Sequence, residues 1–174
     1  YLKEMIDDTS PVNWTGNEAI PNPRPAPTRT PGPDSAGAFA GLRVLELADE
    51  KGQGCGKLMA DMGADVIKIE PPGGEATRSV GPFYQDVPHR DRSVSFWHYN
   101  TSKRGITLSL ETEDGRRIFR QLAEKADVIL ESFRPGYMES LGLGYEELKR
   151  DNPRLIMCSL TPFGQTGPWK DYVT

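Results

Sequence analysis

From Gly41 onward, short apolar segments alternate with amphipathic ones, and this alternation restricts the possible folds more than any other feature. Five segments have the length and the β-branched content of strands: Arg43–Leu47, Asp65–Glu70, Gly105–Leu110, Asp127–Glu131 and Arg154–Leu160. Helical patterns lie between them at Gly54–Met62, Thr112–Ala126 and Tyr145–Arg150. Strands separated by helices form βαβ units, so the sequence predicts an α/β, Rossmann-like domain with a mostly parallel open sheet and helices on both faces.

The sequence also predicts which residues of the first two helices are apolar contacts and what the longest connection does. In the first helix one apolar face is expected, formed by Leu58, Met59 and Met62. In the second helix the inward residues are expected to be Ile118, Phe119, Leu122 and Ala126. Residues 71–92 are polar and too numerous for a simple connection, which favours a lid or an arm that wraps a partner.

Residues 1–40 differ from the rest because proline recurs at positions 11, 21, 23, 25, 27, 31 and 33. Proline fixes φ and lacks an amide donor, so such a run prefers extended conformations. We expect residues 1–40 to be the tail of a preceding unit plus a proline-rich linker. Residues 41–174 are then the N-terminal, truncated part of a nucleotide-binding domain, and the start at Tyr1 rather than Met favours an excised piece.

Composition excludes several classes of function. The formal net charge of −4 argues against a nucleic-acid partner, and no apolar run is long enough to cross a membrane. Cys55 and Cys158 lie far apart, without a CxxC pair or histidines at ligand spacing. This pattern predicts no metal site and favours a reducing compartment, so a cytoplasmic location is expected.

The glycine-rich segment after the first strand invites two phosphate-loop interpretations. A Walker loop fails because Lys51 stands where glycine is needed and Leu58 follows the Gly56-Lys57 pair. The dinucleotide fingerprint GxGxxG is a near miss, since its third glycine is one residue early, and Glu70 ends the next strand where a ribose-binding acid would lie. In either case, glycines ahead of a helix would let backbone amides approach an anion.

Two further segments could bind a nucleotide. Lys103-Arg104 precedes a strand and could neutralise a phosphate, although such a pair alone is more typical of a solvated surface. Phe133 and Arg134 follow a strand, where an aromatic ring and a guanidinium suit a base and a phosphate. A glycine-rich exit, TPFGQTGPW, follows the last strand.

Taken in order, the segments resemble the class III CoA-transferase family, also called CaiB/BaiF. Those that carry the resemblance are GLRVLELADEKGQGCGKLMADMGADVIKIEPPGG, NTSKRGITLSL, ADVILESFRPGYMESLGLGYEEL and NPRLIMCSLTPFGQTGP. The resemblance implies coenzyme A or acyl-CoA as substrate, a carboxylic acid as the second reactant, and no metal. It also implies subunits that interlock as a homodimer or an intramolecular tandem of domains.

Carried over residue by residue, the CoA contacts of the family fall on Lys51, Gly52, Leu108, Ser132, Phe133 and Arg134. The sequence departs from the family where Ser132 replaces a frequent Asn and Ser140 a frequent basic residue, and its first loop is one residue shorter. The missing basic residue at position 140 puts one phosphate contact in doubt.

The resemblance further implies an aspartate nucleophile that forms an aspartyl-CoA thioester. In the family this aspartate follows the loop that is 163–168 here, at a distance that places it beyond Thr174. We therefore predict no catalytic residue in this chain, including Asp171, and expect the piece alone to be inactive. Alternatives are a 2-methylacyl-CoA racemase of the same family, a non-catalytic CoA-binding half of a fused protein, or an NAD-dependent oxidoreductase.

Overall fold

The computed structural model of the protein describes residues 37–172. The predicted tail and most of the proline-rich linker lie outside these residues. The strands are β1 (Arg43–Leu47), β2 (Asp65–Glu70), β3 (Arg104–Thr107), β4 (Val128–Glu131) and β5 (Ile156–Ser159). The helices are α1 (Gln53–Asp61), α2 (Val94–Asn100), α3 (Glu113–Ala123), α4 (Tyr137–Ser140) and α5 (Tyr145–Asp151).

The five strands form one parallel sheet in the order β3-β2-β1-β4-β5. From β1 the chain moves outward through β2 to β3, and it then crosses back to place β4 on the other side of β1. The carboxyl ends of β1 and β4 therefore flank the point where the strand order reverses. Open α/β sheets bind their ligands at this switch point. The parallel sheet and its helices confirm the predicted α/β fold.

Helices cover both faces of the sheet, because both sets of alternating residues in the central strands are mostly apolar. On one face, Leu45, Ile67 and Ile129 pack with residues of α3, α4 and α5 in the larger core. On the other, Val44, Val66 and Leu130 pack with Ala60 of α1 and with Ala64. Helix packing on both sides explains why the central strands β1, β2 and β4 are buried along almost their whole length.

The predicted apolar face of α1 is wrong for Leu58 and Met62, whereas Met59 is partly buried and packs on the core that contains Val44 and Val66. Leu58 is 64% exposed and Met62 is 43% exposed, whereas the buried positions of this helix are Gln53, Gly56 and Ala60. The helix lies so close to the sheet that only small side chains fit at its centre, which leaves the large apolar ones outside. In α3, Phe119 is fully buried as expected, but Ile118 is half exposed.

The segment 71–92 contains two short 3-10 helices, Ala76–Ser79 and Tyr84–Asp86, and is followed by α2, which sequence reasoning missed. Ser93 caps α2 by accepting a hydrogen bond from the Phe96 amide (3.0 Å). Arg78 ties the segment to the end of β2 through Glu70. The segment is thus packed on the domain, and its predicted role as a lid or arm stays a prediction.

Candidate functional site

A cavity of about 310 Å³ lies at the carboxyl ends of β1, β4 and β5. Its walls are Lys51 after β1, residues 132–135 after β4, Thr161 and Pro162 after β5, and residues 170–172. The cavity brings together four of the six predicted CoA contacts, Lys51, Ser132, Phe133 and Arg134, although they come from separate segments of the chain. We call it the switch-point pocket.

Asp49 links the two sides of the switch-point pocket. The Ser132 hydroxyl donates to Asp49 Oδ1 (2.8 Å), and the Asp49 amide donates to Ser132 Oγ (2.8 Å). Lys51 forms an ion pair with the Asp49 carboxylate, and its amide also donates to Oδ1 (3.1 Å). Burial alone would raise the pKa of Asp49, but the hydrogen bonds from Lys51 and Ser132 outweigh it and hold this pKa below its usual range.

Sequence reasoning missed Asp49, although a signal was present. It is the second residue after β1, and Ser132 is the first residue after β4. Because β1 and β4 are neighbours, with Leu47 paired to Glu131, polar residues just beyond these ends must meet.

Cationic groups surround the pocket. Arg134 is exposed, and Lys51 and Lys170 contribute two further positive charges to the walls. Asp171 is the acidic wall residue. Planar guanidinium and mobile ammonium groups are the usual partners of phosphate, so this arrangement suits an anionic ligand.

Phe133 is, with Tyr172, one of two aromatic wall residues of the pocket, and it is held in place from two directions. Its ring centroid lies 4.6 Å from that of Tyr137, and its amide donates to Glu131 Oε2 (2.7 Å). The Tyr137 hydroxyl donates to Glu111 Oε1 (2.5 Å). Burial and this acceptor raise the pKa of Tyr137 to about 12, so the phenol stays protonated and keeps its donor at neutral pH.

Gly52 and Leu108 do not appear among the walls of the switch-point pocket. Gly52 is buried, and a Cβ there would lie 2.7 Å from the Ala48 Cβ and 3.0 Å from a Leu160 methyl. Leu108 follows the edge strand β3, packs against the larger core, and donates its amide to the Glu70 carbonyl (2.9 Å). A contact of either residue with CoA stays a prediction.

The glycine-rich loop differs from the expected anion cradle. The Gly52 and Gln53 amides donate to the Asp49 carbonyl (3.0 and 2.9 Å), and the Cys55 amide donates to the Gly52 carbonyl (3.0 Å). These amides close a turn and are therefore not free to bind a ligand. The glycines instead allow close packing, because a Cβ at Gly56 would lie 1.6 Å from Glu46 Oε2.

Glu70 does not have the surroundings of a ribose-binding acid. Arg78 donates to both of its carboxylate oxygens (2.6 and 2.8 Å), and the Glu75 amide donates to Oε2 (3.1 Å). Burial would raise the pKa of Glu70, but these donors outweigh it and hold the pKa below its usual range. The carboxylate is already engaged, which removes the second feature that favoured NAD.

The pair Lys103-Arg104 is not a solvated basic pair, which corrects the interpretation favoured above. Arg104 is exposed and contacts Asp65 (2.6 Å), but the Lys103 side chain is 1% exposed. Its ammonium donates to Glu46 Oε1 (2.8 Å), the Gln53 carbonyl (2.8 Å) and Asn100 Oδ1 (3.0 Å). Lys103 therefore belongs to a buried network and not to a phosphate site.

Comparison with known proteins places the chain in a family. The family model for CoA-transferase family III matches residues 39–174. The chain belongs to CoA-transferase family III. This finding confirms the resemblance to the CaiB/BaiF proteins, and the match spans every segment that lines the switch-point pocket.

Curated relatives of this family III chain are named as CoA-transferases. A succinyl-CoA:(R)-benzylsuccinate CoA-transferase subunit, BbsE, from Thauera aromatica is 47% identical over 134 residues, 77% of this chain and 33% of the relative. A succinate–glutarate CoA-transferase from Agrobacterium fabrum is 43% identical over 144 residues, 80% of this chain and 36% of the relative. The chain thus spans about a third of the length of these two relatives.

A solved structure supports the same assignment. The crystal structure of a CAIB/BAIF family protein from Brucella suis matches with a TM-score of 0.70 and 42% identity. The match covers 78% of this chain and 36% of that chain.

Residues 37–172 contain neither a membrane-spanning helix nor a cluster of metal-binding side chains. No helix in this range is long and apolar enough to cross a membrane. No group of three His, Cys, Asp or Glu side chains in the same range could hold a metal ion.

Proposed function

We propose that this chain supplies the CoA-binding part of an enzyme that moves coenzyme A from an acyl-CoA to a carboxylic acid. The observation that carries the proposal is the switch-point pocket, in which Lys51 and Arg134 provide cations and Phe133 an aromatic wall. Coenzyme A needs both, since it carries phosphates and an adenine ring. The names of two relatives agree with this proposal, since they are a succinyl-CoA:(R)-benzylsuccinate CoA-transferase subunit and a succinate–glutarate CoA-transferase.

We place the covalent chemistry on an aspartate beyond Thr174. Its carboxylate attacks the acyl-CoA thioester, which releases CoA thiolate and leaves a mixed anhydride. The thiolate then attacks the aspartyl carbonyl, which releases the first carboxylic acid and leaves an aspartyl-CoA thioester. The acceptor carboxylate attacks this thioester to give a new mixed anhydride, from which the thiolate takes the acceptor acyl group and restores the aspartate.

The residues of this chain hold the CoA during these steps. Arg134 and Lys51 neutralise its phosphates, and Phe133 packs against its adenine ring. Ser132 acts through Asp49, whose carboxylate orients Lys51. The piece alone is expected to bind CoA without turning it over. We infer that the full protein works as an interlocked homodimer or as two such domains fused in one chain.

Isothermal titration of this chain with CoA, and with NAD as the competing ligand, tests the proposal. We expect CoA to bind and NAD not to bind, because Glu70 is engaged by Arg78. Failure to bind CoA, or tighter binding of NAD, would overturn it.

The assignment of Arg134 has its own test. Arg134→Ala should weaken CoA binding by about tenfold, the usual loss for one charge-assisted phosphate contact. The matched control is Arg117→Ala, which removes an exposed arginine of α3 that pairs with Asp114 (2.9 Å). The control should leave both affinity and stability unchanged. An unaltered affinity in Arg134→Ala would remove this residue from the site.

A further inference from the structure

Three buried charges lie beneath α1, on the sheet face opposite the larger core. Glu46 of β1 is fully buried, Lys68 of β2 is 2% exposed, and the Lys103 side chain is 1% exposed. Glu46 and Lys68 occupy paired positions in neighbouring strands, with Nζ 3.2 Å from Oε1. Lys103 Nζ lies 2.8 Å from each Glu46 oxygen. We call these three residues the buried triad.

Each lysine of the triad also binds a backbone carbonyl. Lys68 Nζ donates to the Ala48 carbonyl (2.6 Å), and Lys103 Nζ donates to the Gln53 carbonyl (2.8 Å). Ala48 and Gln53 are the two ends of the loop that joins β1 to α1. Residues 49–52 lie between them and include Lys51, which lines the switch-point pocket, and Asp49, its ion-pair partner.

Glu46 is the common partner that connects both ends of this loop. Burial raises the pKa of Glu46 above its usual range, and the ion pairs with Lys68 and Lys103 counteract this effect. Burial likewise lowers the pKa of Lys103, against the effect of Glu46. Glu75 forms a second ion pair with Lys68, so the group contains two carboxylates and two ammonium ions.

Stability alone does not account for such a cluster. Buried ion pairs cost desolvation energy, and apolar residues of similar volume often stabilise a protein as well or better. What apolar residues cannot do is hold two backbone carbonyls in fixed directions. The helix above also leaves room for the carboxylate, because Gly56 has no side chain there.

We propose that Glu46, Lys68 and Lys103 are positioning residues that fix the conformation of loop residues 49–52 and thereby set the affinity of the switch-point pocket for CoA. The inference rests on the proposed function, since it takes CoA as the ligand. None of the three residues lines the pocket, so their effect must pass through the loop.

The first test compares two carboxylate replacements on the same sheet. Glu46→Gln keeps the size of the side chain and removes its charge. The matched control is Asp65→Asn, because Asp65 also sits between two cations, Arg43 (3.0 Å) and Arg104 (2.6 Å), but at the opposite end of the strands. By isothermal titration, Glu46→Gln should weaken CoA binding by about tenfold, and Asp65→Asn by less than about twofold.

The second test asks whether Glu46 acts through Lys51. In a Lys51→Ala background, Glu46→Gln should weaken CoA binding by less than about twofold further, because the group it positions is already gone. If Glu46→Gln weakened CoA binding equally in the unaltered chain and in Lys51→Ala, the proposal would be overturned. Such additive losses of affinity are what a general loss of stability would produce. A folded Glu46→Gln variant with unaltered affinity would also overturn it.

Hydrogen exchange gives a readout that does not need CoA. The Gly52 and Gln53 amides donate to the Asp49 carbonyl, and they should exchange at least about tenfold faster in Glu46→Gln than in Asp65→Asn. If the unaltered chain binds no CoA, the proposed function fails but this comparison still tests the triad. Equal exchange rates would overturn it.

A second variant keeps the proposal testable if Glu46→Gln fails to fold. If Glu46→Gln does not fold, Lys103→Gln removes one cation at the edge of the cluster and should show the same faster exchange of the Gly52 and Gln53 amides. Unchanged exchange in a folded Lys103→Gln variant would overturn the proposal.

Discussion

The Ser132 hydroxyl donates to the Asp49 carboxylate while it accepts from the Asp49 amide, both at 2.8 Å. This two-way contact joins the loop after β1 to the loop after β4 at the point where the strand order reverses. A side chain that both donates and accepts is needed there, and a hydroxyl does so with one atom.

Ser132→Ala should weaken CoA binding by about threefold to tenfold, because two hydrogen bonds that hold Asp49 and thus Lys51 are lost. The pKa of Asp49 should rise, since one of the donors that lower it is removed. Isothermal titration and an NMR titration of the Asp49 carboxyl measure the two effects. Ser140→Ala is the control, because Ser140 is exposed and donates to the Tyr137 carbonyl of its own helix, so its loss should change neither quantity.

Gly56→Ala should lower the free energy of unfolding by at least about 3 kcal/mol, because the added methyl group would strike the buried Glu46 carboxylate. Gly54→Ala, two residues earlier in α1, is the matched control. Its Cβ would meet only Tyr99 at 3.8 Å, so alanine should be neutral or stabilise by roughly 0.5 kcal/mol. Urea unfolding of both variants tests this contrast, and equal stabilities would contradict it.

Glu70→Gln should destabilise the domain by about 1–3 kcal/mol at pH 7, because Arg78 loses a carboxylate that it contacts through two nitrogens. The folded pKa of Glu70 lies below the ordinary value of 4.5. Its contribution is therefore complete above pH 4.5 and is lost as the pH falls through the folded pKa. The difference in the free energy of unfolding between the variant and the unaltered protein should therefore become smaller in acid. Urea unfolding at several pH values measures this difference.

Glu146→Gln serves as the control for Glu70→Gln. Glu146 is an exposed partner of Lys149 (2.7 Å), and its loss should cost less than about 0.5 kcal/mol at any pH. If the difference in the free energy of unfolding between Glu70→Gln and the unaltered protein stayed constant down to pH 2, the lowered pKa of Glu70 would be contradicted.

Glu131→Gln should have the opposite pH response. Burial raises the pKa of Glu131, so its favourable contribution is present below the ordinary value of 4.5 and is lost as the pH rises through the folded pKa. Glutamine can still accept from the Phe133 amide and carries no charge. As the pH rises above 4.5, the variant should therefore gain stability relative to the unaltered protein. Urea unfolding at several pH values measures this difference, and a relative loss of stability of the variant with rising pH would refute the raised pKa.

The strand pattern was predictable because local preference and burial agree. Arg43–Leu47 and Asp65–Glu70 have the predicted bounds, since β-branched and leucine side chains fill both faces of these central strands. β3 is shorter than predicted and exposed throughout, because it is the edge strand of the described sheet. α2 was missed because its residues, VSFWHYN, are poor helix formers and only the Ser93 cap marks it.

Part of the pocket was predictable for a similar reason. The residues after β4 follow a strand end directly, so Ser132, Phe133 and Arg134 could be placed at the ligand edge. The burial of Lys103 could not be predicted, since its partner Glu46 lies 57 residues away and the local Lys-Arg pair looks like a surface feature. Opposite charges at the fourth positions of β1 and β2, Glu46 and Lys68, were the overlooked signal.

The close approach of Gly56 to the Glu46 carboxylate also restricts how this protein can evolve. A larger residue at position 56 becomes tolerable only after position 46 has lost its carboxylate, and that loss leaves two buried lysines without their shared counterion. The order of substitutions is therefore constrained. Lys68 or Lys103 must be replaced early in any series of substitutions that leads to a larger residue at position 56. In a library with all four positions randomised, surviving sequences should keep glycine, glutamate and both lysines together or replace them as a group.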